Sequence, residues 1–90
     1  MISVGEFKFE LVENYRECFV MEEFENLFTE YFYDFDYIVG DYAYSKLRLK
    51  GFYDDKNKKV KKINNFNNID KYLEENCARD CKYFIVKKGE

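Results

Sequence analysis

The chain has 90 residues, of which 47% are hydrophobic and 21% aromatic, and carries a net charge of −3. That length holds one domain, 1–90, and that aromatic content excludes disorder for most of the chain. The sequence holds no histidine, so the commonest general base, the commonest metal ligand and every Ser/His or Cys/His nucleophile pair are missing.

Taken in chain order, Glu6 to Val12 alternates, with Phe7, Phe9 and Leu11 on one side and Glu6, Lys8 and Glu10 on the other. Period two reads as a strand. From Met21 the period changes to that of a helix, with Phe24, Leu27, Phe28, Tyr31, Phe32 and Phe35 on one wide apolar face. Glu22, Glu23 and Glu25 suit the positive end of that helix, whereas Glu30, Asp34 and Asp36 sit at its unfavoured end. Tyr37-Ile38-Val39 reads as a strand, and Gly40 to Ser45 as a turn in which Asp41 bonds local backbone amides. Lys46 to Tyr53 alternates again and closes a hairpin. Segment 54–68 holds five lysines and five asparagines and reads as a long mobile loop. Asn67 or Asn68 caps a second helix with Ile69, Tyr72, Leu73 and Cys77 on its apolar face, and Tyr83-Phe84-Ile85-Val86 forms a last strand. The order βαββαβ is that of ferredoxin-like domains. The expected fold is therefore α+β, a two-layer sandwich of a four-stranded antiparallel sheet with two helices on one face.

Charge is divided unevenly. Residues 1–45 hold two basic residues and eleven acidic ones, and residues 46–90 hold thirteen basic and seven acidic. Such asymmetry points either to two differently charged surfaces or to halves that neutralise each other in the fold.

Several stretches resemble the YutD-like family of small proteins from Gram-positive bacteria. The core of the likeness is Phe35-Asp36-Tyr37-Ile38-Val39-Gly40-Asp41-Tyr42 followed by Leu47-Arg48-Leu49-Lys50-Gly51-Phe52-Tyr53-Asp54-Asp55. Phe9-Glu10-Leu11-Val12-Glu13-Asn14-Tyr15-Arg16 is similar to the family's opening. Asp70-Lys71-Tyr72-Leu73 and Cys77-x-x-x-Cys81-x-Tyr83-Phe84-Ile85-Val86 are similar to its close. This chain departs from the family at Tyr42-Ala43, often Trp-Gly, and at Ser45-Lys46, commonly Gly-Gln. The resemblance implies a cytosolic protein and brings no active site with it.

Three constellations stand out. The first is a basic strand and loop of Lys46, Arg48, Lys50, Lys56, Lys58, Lys59, Lys61 and Lys62, with Phe52 as a stacking aromatic. On an open sheet face these would contact RNA or another polyanion. The competing reading pairs Arg48 and Lys50 with Glu10 and Asp41 across the sheet. The second is an acidic helix with Glu22, Glu25, Glu30 and Tyr33, which suits a basic protein partner. The third is Cys77 and Cys81, either a core residue and a connector or a thiol redox pair. With Cys18 as the one further thiol, no zinc site and no cofactor are expected. No apolar run approaches the length of a membrane span, and Met1 to Glu6 lacks the basic and apolar regions of a signal peptide. The expectation is a cytoplasmic, non-enzymatic binding module, led by the polyanion reading.

Overall fold

The computed structural model describes residues 2–43, 45–76 and 82–89. Its elements run β1 (Ile2–Val4), β2 (Phe7–Tyr15), α1 (Met21–Leu27), β3 (Tyr37–Ala43), β4 (Lys46–Phe52), α2 (Ile69–Asn76) and β5 (Tyr83–Lys88). The five strands form one curled sheet in the order β1-β2-β5-β3-β4. Every neighbouring pair is antiparallel.

This corrects the ferredoxin-like expectation in three respects. There is a fifth strand, because Gly5 turns with φ 58° and folds Ile2–Val4 back against Phe7–Phe9. Glycine adopts that left-handed backbone without the steric cost a side chain brings. The last strand also lies in the middle of the sheet, paired with β2 on one side and β3 on the other. Finally, the helices lie on opposite faces. Phe84, Val86 and Ile38 pack with Phe24 of α1 in one core. The residues between them, Ile85 and Val39, pack with Ile69, Tyr72 and Leu73 of α2 in another. Successive strand side chains point to opposite faces, so one apolar run supplies both cores.

The first helix is shorter than its apolar period suggests. α1 stops at Leu27, Phe28 is extended (φ −78°, ψ 108°), and a 3-10 turn occupies Glu30–Phe32. The break removes Glu30 and Asp34 from the C-terminal end of a long helix, where its dipole would repel them. Glu30 opens the 3-10 turn instead. Phe24, Phe28 and Phe32 still stack in series, with ring centroids 5.7 and 6.5 Å apart.

Gly40 and Asp41 lie inside β3 rather than in a turn. The reversal sits further on, where Ser45 takes φ 65°. Gly40 faces Phe84 of β5 in register, and the Phe84 ring fills the space a Cβ would need. Gly51 stands in the same relation to Phe35. Both rings are buried, so neither can move aside without reopening the core. Gly40→Ala is therefore expected to destabilise the fold by about 1–3 kcal/mol, the usual range for overpacking a tight core. Urea unfolding measures this, and a change under about 0.5 kcal/mol would show that Phe84 is free to shift.

Candidate functional site

The cations singled out from the sequence fall on the α2 side of the sheet and its border. Along β4, Leu47 and Leu49 join the α1 core, so Lys46, Arg48, Lys50 and Phe52 turn to the other face. That face is not open as expected. Phe52 is 1% exposed, beneath Phe66 and Tyr72, whose ring centroids are 6.4 and 5.3 Å away. It cannot stack on a base. Lys50 reaches over it, Nζ 5.5 Å from the ring centre.

Arg48 holds a carboxylate. Its Nε and Nη2 donate to Asp41 Oδ1 and Oδ2 at 3.3 and 2.8 Å. Asp41 is 1% exposed and Arg48 49%, so the pair plugs the sheet surface with one end in water. The two residues are cross-strand partners, a geometry suited to opposite charges. The hydrogen bond from Arg48 raises its pKa further above the ordinary guanidinium value. Burial, with Asp41 nearby, raises that of Tyr72. The competing reading of Arg48 is thus the observed one. Glu10, by contrast, lies opposite Lys87 of β5.

The 54–68 segment follows a path set by its acids and asparagines. Asp36 Oδ2 accepts from Asp54 N at 2.8 Å and from Asn57 Nδ2 at 2.9 Å. Tyr53 N donates to Asn64 O, and Phe66 N to Tyr53 O, at 2.7 and 2.9 Å. Asp54, Asn57, Asn64 and Asn65 each accept a backbone amide from a residue two or three positions away, the local bond that makes these residue types favour turns. The segment carries 3-10 turns at Lys62–Asn64 and Phe66–Asn68, and the second leads into α2. The asparagines thus act mainly as turn formers, with lysines projecting between them.

Lys59 is tied to Asp34 at 2.9 Å, both side chains more than half exposed. That hydrogen bond and charge lower the Asp34 pKa and raise that of Lys59. Lys46, Lys56, Lys58, Lys61 and Lys62 are exposed. Among the described residues, the ion pairs that join the acidic half to the basic half are Asp41–Arg48 and Asp34–Lys59. Among the described residues, direct ion pairing between the halves is confined to these two contacts, and Lys46, Lys56, Lys58, Lys61 and Lys62 stay exposed.

A groove of about 500 Å³ opens on this side. It lies between β4, the Lys62–Asn64 turn and α2, with Lys50, Lys62 and Lys71 around it and Phe52 and Tyr72 in its wall. Glu75 is its acidic residue, 4.0 Å from Lys71. Lys71 and the groove itself are missing from the sequence reading. A lysine four residues before Glu75 on a helix looks like a surface pair, and nothing local signals that α2 lies across β4.

The α1 side is acidic. Glu22, Glu25 and Glu30 are exposed as expected. Tyr33 packs its ring against Phe7 and Phe28, centroids 4.5 and 5.4 Å away, so it is a partly exposed core aromatic more than a free anchor. Glu23 accepts a hydrogen bond from the Tyr42 hydroxyl. Cys18 is buried in the α1 core, and burial raises its thiol pKa. Cys77 and Cys81 lie outside the described residues, among which no group of acidic or thiol side chains is placed to hold a metal ion. No helix there is long and apolar enough to cross a membrane.

Two consequences follow for solution behaviour. Arg48→Ala leaves the Asp41 carboxylate buried without its bidentate partner, and a loss of about 1–3 kcal/mol in denaturant unfolding is expected; no loss would mean that water solvates Asp41. On the alkaline side, burial and the hydroxyl's bond to Glu13 push the Tyr83 pKa up to about 12. An unfolded tyrosine ionises near pH ~10. With the folded value raised, this contribution to stability is complete below pH ~10 and is lost as pH rises through the folded value. Tyrosinate absorbance should show wild type losing a late-titrating group when Tyr83→Phe is introduced; an unchanged curve would contradict the Glu13 contact.

Comparison with known proteins agrees with this architecture along the whole chain. The family described as "Putative antitoxin YutD-like" matches residues 3–87. The protein named "Putative antitoxin YutD" of Bacillus subtilis (strain 168) is 40% identical over 88 residues, covering 98% of this chain and 97% of that relative. A solution NMR structure of protein yutD from B. subtilis superposes with a TM-score of 0.82 at 39% identity, over 100% of this chain and 82% of that one. The chain belongs to the YutD-like family.

Proposed function

We propose that this chain is a non-enzymatic cytoplasmic binding module whose α2 side contacts RNA or a similar polyanion. The observation that carries the reading is charge separation across the sheet. Only two ion pairs among the described residues tie the basic half to the acidic half. Lys46, Lys56, Lys58, Lys61 and Lys62 remain exposed along one border, next to a groove lined by Lys50 and Lys71. A border of cations spaced along a strand and a turn suits a chain of phosphates, whose neutralisation releases counterions. Arg48 and Phe52 take structural parts in this account: the first holds Asp41, and the second floors the face.

A second reading rests on a different observation. The B. subtilis relative carries the name "Putative antitoxin YutD", and the exposed Glu22, Glu25 and Glu30 of the α1 side offer a basic protein a complementary surface. Glu22→Lys with Glu25→Lys would release such a partner and leave RNA binding intact.

The polyanion reading is tested by fluorescence anisotropy with a labelled single-stranded RNA. If about four phosphates are contacted, raising salt from about 50 to about 200 mM weakens binding roughly fiftyfold. Lys58→Glu with Lys61→Glu flattens that slope. Absence of salt-dependent binding at micromolar protein refutes the reading.

A further inference from the structure

The groove beside α2 differs from the rest of the basic border in being concave and partly apolar. Its wall combines Phe52, which is buried, with the half-buried ring of Tyr72. Its rim carries Ile63, a β-branched apolar side chain left 77% exposed. Lys50, Lys62 and Lys71 stand around it against a single glutamate, and Asn68 adds an amide. Asn68 is oriented by its own bond to Lys62 O at 3.0 Å. A volume of about 500 Å³ falls within the range of small-ligand pockets.

We propose that this groove is a nucleotide subsite that receives one unpaired nucleotide of a single-stranded RNA, with Ile63 and Tyr72 against the base and the lysines around its phosphates. The inference rests on the polyanion reading and adds to it a preference for single strands. A lysine border alone meets phosphates and does not ask whether the bases are paired. An apolar-walled groove rewards a base that can leave its stack, and a duplex withholds its bases. The three surrounding lysines give the site its charge complementarity to a nucleoside phosphate. Ile63 makes little sense as core, because it is largely in water, and it lies where a base entering the groove would cover it.

The test compares two RNA probes of equal phosphate number, an unstructured strand of about a dozen nucleotides and a blunt duplex. The same anisotropy assay is run on wild type, on the groove variant Ile63→Ser, and on Lys58→Glu with Lys61→Glu; amide NMR spectra confirm that each variant is folded. Wild type is expected to bind the single strand about tenfold more tightly than the duplex, the size of one base contact. The groove variant should lose that preference while keeping its duplex affinity within about threefold. The border variant should weaken both probes together. Free uridine monophosphate in millimolar excess should compete for the single strand if the groove takes a nucleotide unit by itself; competition limited to oligomers would place the recognition in consecutive nucleotides and overturn the single-nucleotide subsite. Equal affinity of wild type for both probes overturns the subsite and leaves the polyanion reading standing. Binding of neither probe overturns both.

Discussion

The structure depends on β5 being paired on both sides and buried on both faces. Tyr83-Phe84-Ile85-Val86 is a short run, yet it hydrogen-bonds to β2 and to β3 and feeds both cores. A strand arriving last in the chain and entering at the centre makes the sheet's pairing non-local, so neither hairpin completes the fold alone. The hairpin of β1 and β2 and that of β3 and β4 are held together through this strand. Its phenylalanine, Phe84, also explains Gly40, whose missing side chain gives that ring its place.

Central placement of β5 has an electrostatic result. It lets α1 cover one face and α2 the other, so the acidic α1 and the lysine-rich 54–68 segment are not packed against each other, although strands of the two halves pair within the sheet. Among the described residues, the ion pairs that join the two halves are Asp41–Arg48, set into the sheet, and Asp34–Lys59 at the surface. The surface pair adds little to stability in water. The inner one matters through its buried carboxylate, which would be costly to leave unpaired. The arrangement leaves Lys46, Lys56, Lys58, Lys61 and Lys62 exposed beside α2, where Asp55, Asp70, Glu74 and Glu75 are exposed as well.

Much of this was legible in the sequence and some was not. Period-two alternation located β2 and β4, and the phenylalanine spacing located α1, because those elements bury one side. The family resemblance rests on residues that turn out to hold the centre: Ile38, Val39, Gly40 and Asp41 of β3, and Phe84, Ile85 and Val86 of β5. A two-layer fold puts both helices on one face, whereas α1 and α2 pack on opposite faces. The unbroken apolar runs at 37–39 and 83–86 carry the contrary signal, since a strand buried on both faces cannot alternate. The two-layer fold likewise puts Phe52 on an open face. β1 is three residues long, too short for any period, and Gly5 was its one cue. The extent of α1 was overestimated because Tyr31, Phe32 and Phe35 keep a helical spacing while packing from a 3-10 turn and the stretch after it. The groove was invisible because it forms only when α2 is laid beside β4.

The α1 and α2 sides of the sheet differ in charge, and the lysine-rich one is the proposed nucleic-acid surface. Titration of the isotope-labelled protein with single-stranded RNA, followed residue by residue through its backbone amides, tests this most directly. Shifts are expected at β4, the Lys62–Asn64 turn and the start of α2, with α1 and the β1–β2 hairpin unchanged. Shifts centred on Glu22, Glu25 and Glu30, or a spectrum that RNA leaves unaltered, would contradict it.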